Sequence, residues 1–275
     1  MPTVRANGLE IGYDVQGAGP PIVMLHSASS LGAADFAAQL PSFTRAFRVY
    51  LPDARGHGRT AWNVADGFGQ ELLTADVEAF ADALELDTFH LLGFSMGGMT
   101  ALQFAARRPE RVRTLVTAGI TTSREPRASV ARRAMDPDRI EAKDPRWAAT
   151  LAQFHDATQG AGAWRNLLRA IAADVAVQPE LGPAELRHIT APALITAGDR
   201  DPFVPVDHAW GLMRQLPDAR LLIVPECGHE VPILRPRLFN AACEGFYRST
   251  EDAAKGRTRV HGPSTASLSD EEAGR

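Results

Sequence analysis

The apolar positions of this chain follow two alternating rhythms. Pro21 to His26, Phe47 to Leu51, His90 to Leu92, Val112 to Ala118, Pro192 to Ala197 and Arg220 to Val224 are short, mostly apolar runs. That is the pattern of strands buried on both faces. Between them, apolar residues recur at helical spacing. Val77, Phe80, Ala81 and Leu84 mark a helix from about Glu71 to Leu86, and Met99, Leu102, Ala105 and Ala106 mark another. Asp35 is placed to cap a helix over Phe36 to Phe43, and a further helix runs from Val206 to Leu216. A closing helix, with Leu238, Phe239, Ala242 and Phe246 on one face, ends near Tyr247. At the start, Thr3 to Ala6 and Leu9 to Val15 flank Asn7-Gly8, a hairpin signal that predicts an antiparallel pair at one sheet edge. Strand alternating with helix is the signature of a parallel sheet with right-handed crossovers.

The rhythm breaks between Ile120 and His188. Arg124 to Arg146 is charged, carries Pro126, Pro137 and Pro145, and has little strand character. Trp147, Leu151 and Phe154, then Trp164, Leu167, Leu168 and Ile171, predict two amphipathic helices. His155 and the arginines of this region have no spacing that argues for ligand contact. About 70 residues between consecutive strands are too many for a plain crossover. Residues 249–275 are Ser, Thr, Gly and charge with few aliphatic side chains, so this tail is expected to be disordered.

Composition narrows the class. The chain has 275 residues, 45% hydrophobic and 23% charged, which suits one large α/β domain or two small ones with a sizeable core. The net charge of −4 gives no electrostatic case for nucleic acid or an anionic membrane. No apolar run approaches the roughly 20 residues of a membrane span, and the start lacks an apolar leader segment, so a soluble cytoplasmic protein is expected. Cys227 and Cys243 sit outside any metal-ligand spacing, and no metal is implied.

The candidate chemistry centres on Leu91-Leu92-Gly93-Phe94-Ser95-Met96-Gly97-Gly98. A buried strand precedes it and a helix follows, so Ser95 sits on a sharp turn whose glycines allow close backbone approach. Three other loops stand at strand ends: Ser27 to Gly32, Pro52 to Thr60 and Pro225 to Glu230. Loops there are where open α/β sheets bind ligands. Asp199 and Asp201 both follow the strand ending at Gly198, and topology alone leaves the two open.

The G-x-S-x-G stretch resembles the nucleophile elbow of the α/β-hydrolase family. Asp53-Ala54-Arg55-Gly56-His57-Gly58 is similar to that family's D-x-R-G-x-G loop, Asp201-Pro202-Phe203-Val204-Pro205 to its acid segment, and Gly228-His229 to its G-H signature. The resemblance spans Leu9 to Tyr247. It implies a mostly parallel eight-stranded sheet with helices on both faces and a helical cap inserted after strand 6. The core would be 1–119 and 190–248, and the cap 120–189. Ser95 is then the nucleophile, His229 the base and Asp201 the acid, in the family's chain order. The N–H groups of Met96 and Ser27 would form the oxyanion hole. His57, between glycines, is read as a structural hydrogen-bonder. The implied activity is hydrolysis of an ester or lactone of a small, largely apolar substrate through an acyl-enzyme, without a cofactor. Carbon–carbon hydrolysis of a diketone-like substrate and a non-catalytic receptor role are the alternatives, and oligomeric state is left open.

Overall fold

The structure, a computed structural model, describes residues 2–178 and 180–254. Its frame is one eight-stranded sheet: β1 (Thr3–Ala6), β2 (Leu9–Gln16), β3 (Pro21–Leu25), β4 (Arg48–Pro52), β5 (Phe89–Phe94), β6 (Val112–Ala118), β7 (Ala193–Gly198) and β8 (Ala219–Val224). The spatial order is β1-β2-β4-β3-β5-β6-β7-β8. β1 and β2 are an antiparallel hairpin at the edge, turned at Asn7 (φ +47°) and Gly8 (φ +78°). β2 pairs antiparallel with β4, and every later pairing is parallel. The expected mostly parallel α/β-hydrolase sheet is what forms.

Helices cover both faces. In chain order they are α1 (Gly32–Asp35), α2 (Leu40–Phe43), α3 (Gln70–Ala83), α4 (Met96–Arg107), α5 (Arg127–Ala134), α6 (Pro137–Lys143), α7 (Pro145–Gln159), α8 (Ala163–Val177), α9 (Pro183–Leu186), α10 (Val206–Gln215), α11 (Val231–Leu234) and α12 (Pro236–Ala254). One face of the sheet packs Phe80, Leu102, Phe104 and Leu212 against Leu91 and Ile195. The other packs Phe36, Phe43, Phe239 and Phe246 against Met24, Leu92 and Val116. β5 is buried at all six positions, as expected of a central parallel strand.

Three elements differ from the sequence expectation. The helix expected over Phe36 to Phe43 with Asp35 as its cap is not there: Asp35 is the last residue of α1, and only Leu40 to Phe43 is helical, with Pro41 in its first turn, because that ring obstructs the turn before it. The charged stretch before Arg146 holds α5 and α6, and α7 starts within it: Pro137 and Pro145 occupy first helical turns, where proline is tolerated. Asp136 accepts the N–H groups of Asp138 and Arg139, and Asp144 accepts that of Trp147, so each start is capped. Finally, α12 runs beyond Tyr247 to Ala254, which corrects the tail's expected start at 249. The rest of the expected disordered tail, 255–275, lies outside the described residues.

Helices α5 to α9 all fall between β6 and β7. Of these, α6, α7 and α8 supply a third apolar cluster: Ile140, Leu151, Trp164, Leu167, Leu168 and Ile171 pack with Ala28, Leu73 and Met96 of the sheet-bearing part. Among the described residues no helix is long and apolar enough to cross a membrane.

Candidate active site

Strand β5 runs directly into Ser95, the residue before α4. Its backbone sits at φ +54°, ψ −116°, a region that costs a residue with a side chain on the order of 1–3 kcal/mol. The surroundings impose it. The Ser95 N–H donates to the Ala118 carbonyl at 2.8 Å, and the Gly97 N–H donates to the His26 carbonyl at 3.1 Å. Helix α4 then lies so close to β3 that a Cβ on Gly97 would stand 2.2 Å from the Leu25 carbonyl oxygen. Only glycine fits there.

The acid loop follows β7 and the histidine loop follows β8, and the structure brings Ser95, Asp201 and His229 together. His229 Nδ1 lies 2.8 Å from Asp201 Oδ2, and His229 Nε2 lies 2.9 Å from Ser95 Oγ. A neutral ring protonated on Nδ1 satisfies both contacts, donating to the carboxylate and accepting from the hydroxyl. Asp201 is fixed independently: its other oxygen accepts the Phe203 N–H at 2.8 Å and the Val204 N–H at 3.2 Å. The Asp201 side chain is wholly buried. The Phe203 ring packs on the imidazole with centroids 4.4 Å apart.

Asp199 is engaged elsewhere. Its Oδ1 accepts the Cys227 N–H at 3.1 Å, a bond that holds its carboxyl below the ordinary range. It ties the two loops and does not contact His229.

Of the two N–H groups expected at the oxyanion hole, one is free and one is engaged. Met96 opens α4, so its N–H has no intrahelical acceptor. The Ser27 N–H, however, donates to Asp35 Oδ2 at 2.7 Å and is occupied. The next N–H, on Ala28, has no acceptor among the described residues, and Ala28 lines the same cavity as Ser95 and Met96. Ala28, not Ser27, thus offers a free N–H beside Met96. Its carbonyl is held by His57, whose Nε2 lies 2.9 Å away, so His57 is a hydrogen-bonder as expected.

Sequence reasoning missed Ala28, Asp35 and one further group. Arg127, the first residue of α5, lines the small cavity that also holds Ser95 and His229. That cavity, about 50 Å³, is joined at Ser95 and His229 by a wider cleft of about 620 Å³ walled by Met135, Trp147 and Phe154. Nothing in the spacing of α5 marks Arg127, because its burial comes from α5 packing on α8.

A serine on a strained strand-to-helix turn, hydrogen-bonded through histidine to a buried aspartate on an eight-stranded α/β sheet, defines a hydrolase fold. Residues 22–242 match the alpha/beta hydrolase family, and the chain belongs to that family. It is similar to a 2-hydroxy-6-oxononadienedioate/2-hydroxy-6-oxononatrienedioate hydrolase of Klebsiella pneumoniae subsp. pneumoniae, with 29% identity over 231 residues, 76% of this chain and 80% of that one. Among solved structures it resembles Est816, described as an N-acyl homoserine lactone degrading enzyme, at 29% identity and TM-score 0.72, covering 89% of this chain and 100% of the other. The enol-lactonase from Burkholderia xenovorans shares the fold at TM-score 0.72 and 24% identity, over 90% and 100% of the two chains.

Proposed function

We propose that the protein is a serine hydrolase that cleaves a small carboxylic ester or lactone through an acyl-enzyme. The observation that carries this reading is the relay in which one imidazole touches Ser95 Oγ at 2.9 Å and Asp201 Oδ2 at 2.8 Å. Serine is a weak nucleophile until a base takes its proton. Ser95 Oγ attacks the acyl carbon as its proton passes to His229 Nε2, and Asp201 balances the imidazolium. The Met96 and Ala28 N–H groups receive the negative oxygen of the tetrahedral intermediate, each such donor contributing about 3 kcal/mol. His229 returns the proton to the leaving alkoxide. A water, deprotonated by the same histidine, then releases the acid. None of these steps calls on a cofactor, and the same relay needs no nucleic acid or membrane partner.

Carbon–carbon bond hydrolysis is the second reading, favoured by the activity in the name of the Klebsiella relative. The relay serves both chemistries. A receptor role on the same fold predicts ligand-dependent thermal stabilisation without product.

The test is labelling with a fluorophosphonate probe, mass spectrometry of the labelled peptide, and a short series of p-nitrophenyl esters. Labelling at Ser95 with ester turnover supports the first reading. Labelling without turnover shifts the assignment to carbon–carbon cleavage or a receptor, and absence of labelling overturns the catalytic reading.

A further inference from the structure

Arg127 is a buried cation whose guanidinium is largely without acceptors. Its side chain lies in a residue only 8% exposed, and it lines the cavity shared with Ser95 and His229. One terminal nitrogen, Nη1, donates to Gln178 Oε1. Nε and Nη2 are buried with no hydrogen-bond acceptor among the described residues. A buried donor left unpaired is costly, and a buried guanidinium more so.

The acid in the same cavity does not serve it. Asp174, on α8 and lining the same cavity, spends Oδ1 on the Gln70 N–H at 3.1 Å and Oδ2 on Gln178 Nε2 at 2.5 Å. Gln178 Nε2 also donates to Gln70 Oε1 at 3.1 Å. This network fixes Gln178, and through it Arg127, while Asp174 forms no ion pair with the arginine. Burial lowers the basicity of Arg127 and raises that of Asp174, the behaviour of charges whose partners are incomplete.

Nε and Nη2 lie on one edge of the guanidinium plane, the pair that takes a carboxylate in the bidentate manner. We infer that Arg127 is a carboxylate subsite and that the substrate carries an anionic carboxylate on the acyl side of the bond Ser95 attacks. This inference rests on the serine-hydrolase reading and refines its substrate class. The cavity admits roughly four water-sized groups, so the spacer between reacting carbonyl and carboxylate is a short methylene or alkenyl chain. The leaving group faces the wider cleft.

The experiment compares the mono-p-nitrophenyl ester of glutaric acid with p-nitrophenyl pentanoate, in which a methyl replaces the carboxylate. Wild-type kcat/KM should favour the glutarate ester, on the order of 10- to 100-fold, the range for a charge-assisted hydrogen-bonded pair. Arg127→Met should erase that ratio, with most of the change in KM, and Arg127→Lys should restore part of it. Turnover without a wild-type preference, or a preference that survives Arg127→Met, overturns the inference and leaves the serine-hydrolase reading standing. If neither ester is turned over, that reading fails separately, and thermal denaturation with glutarate or its neutral diamide decides the subsite. Stabilisation by glutarate alone, in wild type but not in Arg127→Met, supports it. Equal response to both compounds, or none, overturns it.

Discussion

Asp199 holds the backbone of Cys227, its Oδ1 3.1 Å from that N–H, and so binds the loop that carries Asp201 to the loop that carries His229. Two aspartates two residues apart thus divide the work. Asp201 meets the imidazole, and Asp199 sets the distance between the loops. Asp201→Asn should lower kcat by on the order of 10⁴, because an amide beside Nδ1 favours the wrong tautomer. Asp199→Asn should cost less than tenfold and show mainly as reduced thermal stability. Kinetics of both variants on one p-nitrophenyl ester check the ranking, and the reverse order would move the acid to Asp199.

Ser95→Ala removes the attacking oxygen and little else. The side chain makes one hydrogen bond, to His229, and the strain at φ +54° belongs to the backbone. Loss of kcat on the order of 10⁶ is expected where nucleophile and base act as a unit. The melting temperature should stay within a few degrees of wild type. Residual turnover near the wild-type rate would remove Ser95 from the mechanism.

The elbow was legible because two periodicities meet there: an apolar run before Ser95 and helical spacing after it force a serine onto a strand-to-helix turn. Asp201 and His229 could be named from the segments around them, since chain order and strand ends fix which loops converge. The choice between Ser27 and Ala28 was not legible. Adjacent N–H groups look alike in sequence, and what separates them is a carboxylate eight residues on, Asp35, folded back onto one of them. Arg127 was hidden for a related reason. A charged residue in a charged, proline-rich stretch reads as solvated surface until α5 packs on α8 and buries it. No helix was expected over Pro137 and Pro145, yet with Asp136 and Asp144 before them they begin helices.

The Asp35 contact carries its own prediction. Its bond to the Ser27 N–H fixes the loop that presents Ala28, and bonds of this charged type contribute about 1.5–3 kcal/mol. Asp35→Ala should therefore lower both stability and kcat. Freed from Asp35, the loop no longer holds the Ala28 N–H on the oxyanion, and loss of one donor lowers kcat by up to about 100-fold. KM should change little, since the donor acts on charge that develops only in the transition state. An unchanged kcat would separate Asp35 from the oxyanion hole.

Three buried histidines make stability fall on the acid side. His57 and His155 pack ring to ring at 5.3 Å where α7 meets the Arg55–Arg59 loop, and His90 lies under Phe47 and Tyr247. Burial above all, then the charge of His26 and His155 nearby, pushes His57 well below its ordinary value. Burial likewise brings His155 and His90 down to about 4, with His26 and Arg113 as the respective secondary causes. In the unfolded chain each titrates near 6.5. Above that value neither state binds the proton, and the contribution to stability is complete. As pH falls from about 6.5 toward 4 the unfolded chain gains protons that the folded chain refuses, so stability is lost, at about 1.4 kcal/mol per pH unit for each histidine. His155→Gln keeps a polar side chain to accept the Gly58 N–H and removes one titrating ring. Urea denaturation between pH 7 and pH 5 should find the variant less stable than wild type at pH 7, with a shallower acid slope, so that the two curves converge. Parallel curves would mean that His155 takes up its proton in the folded state as readily as in the unfolded one.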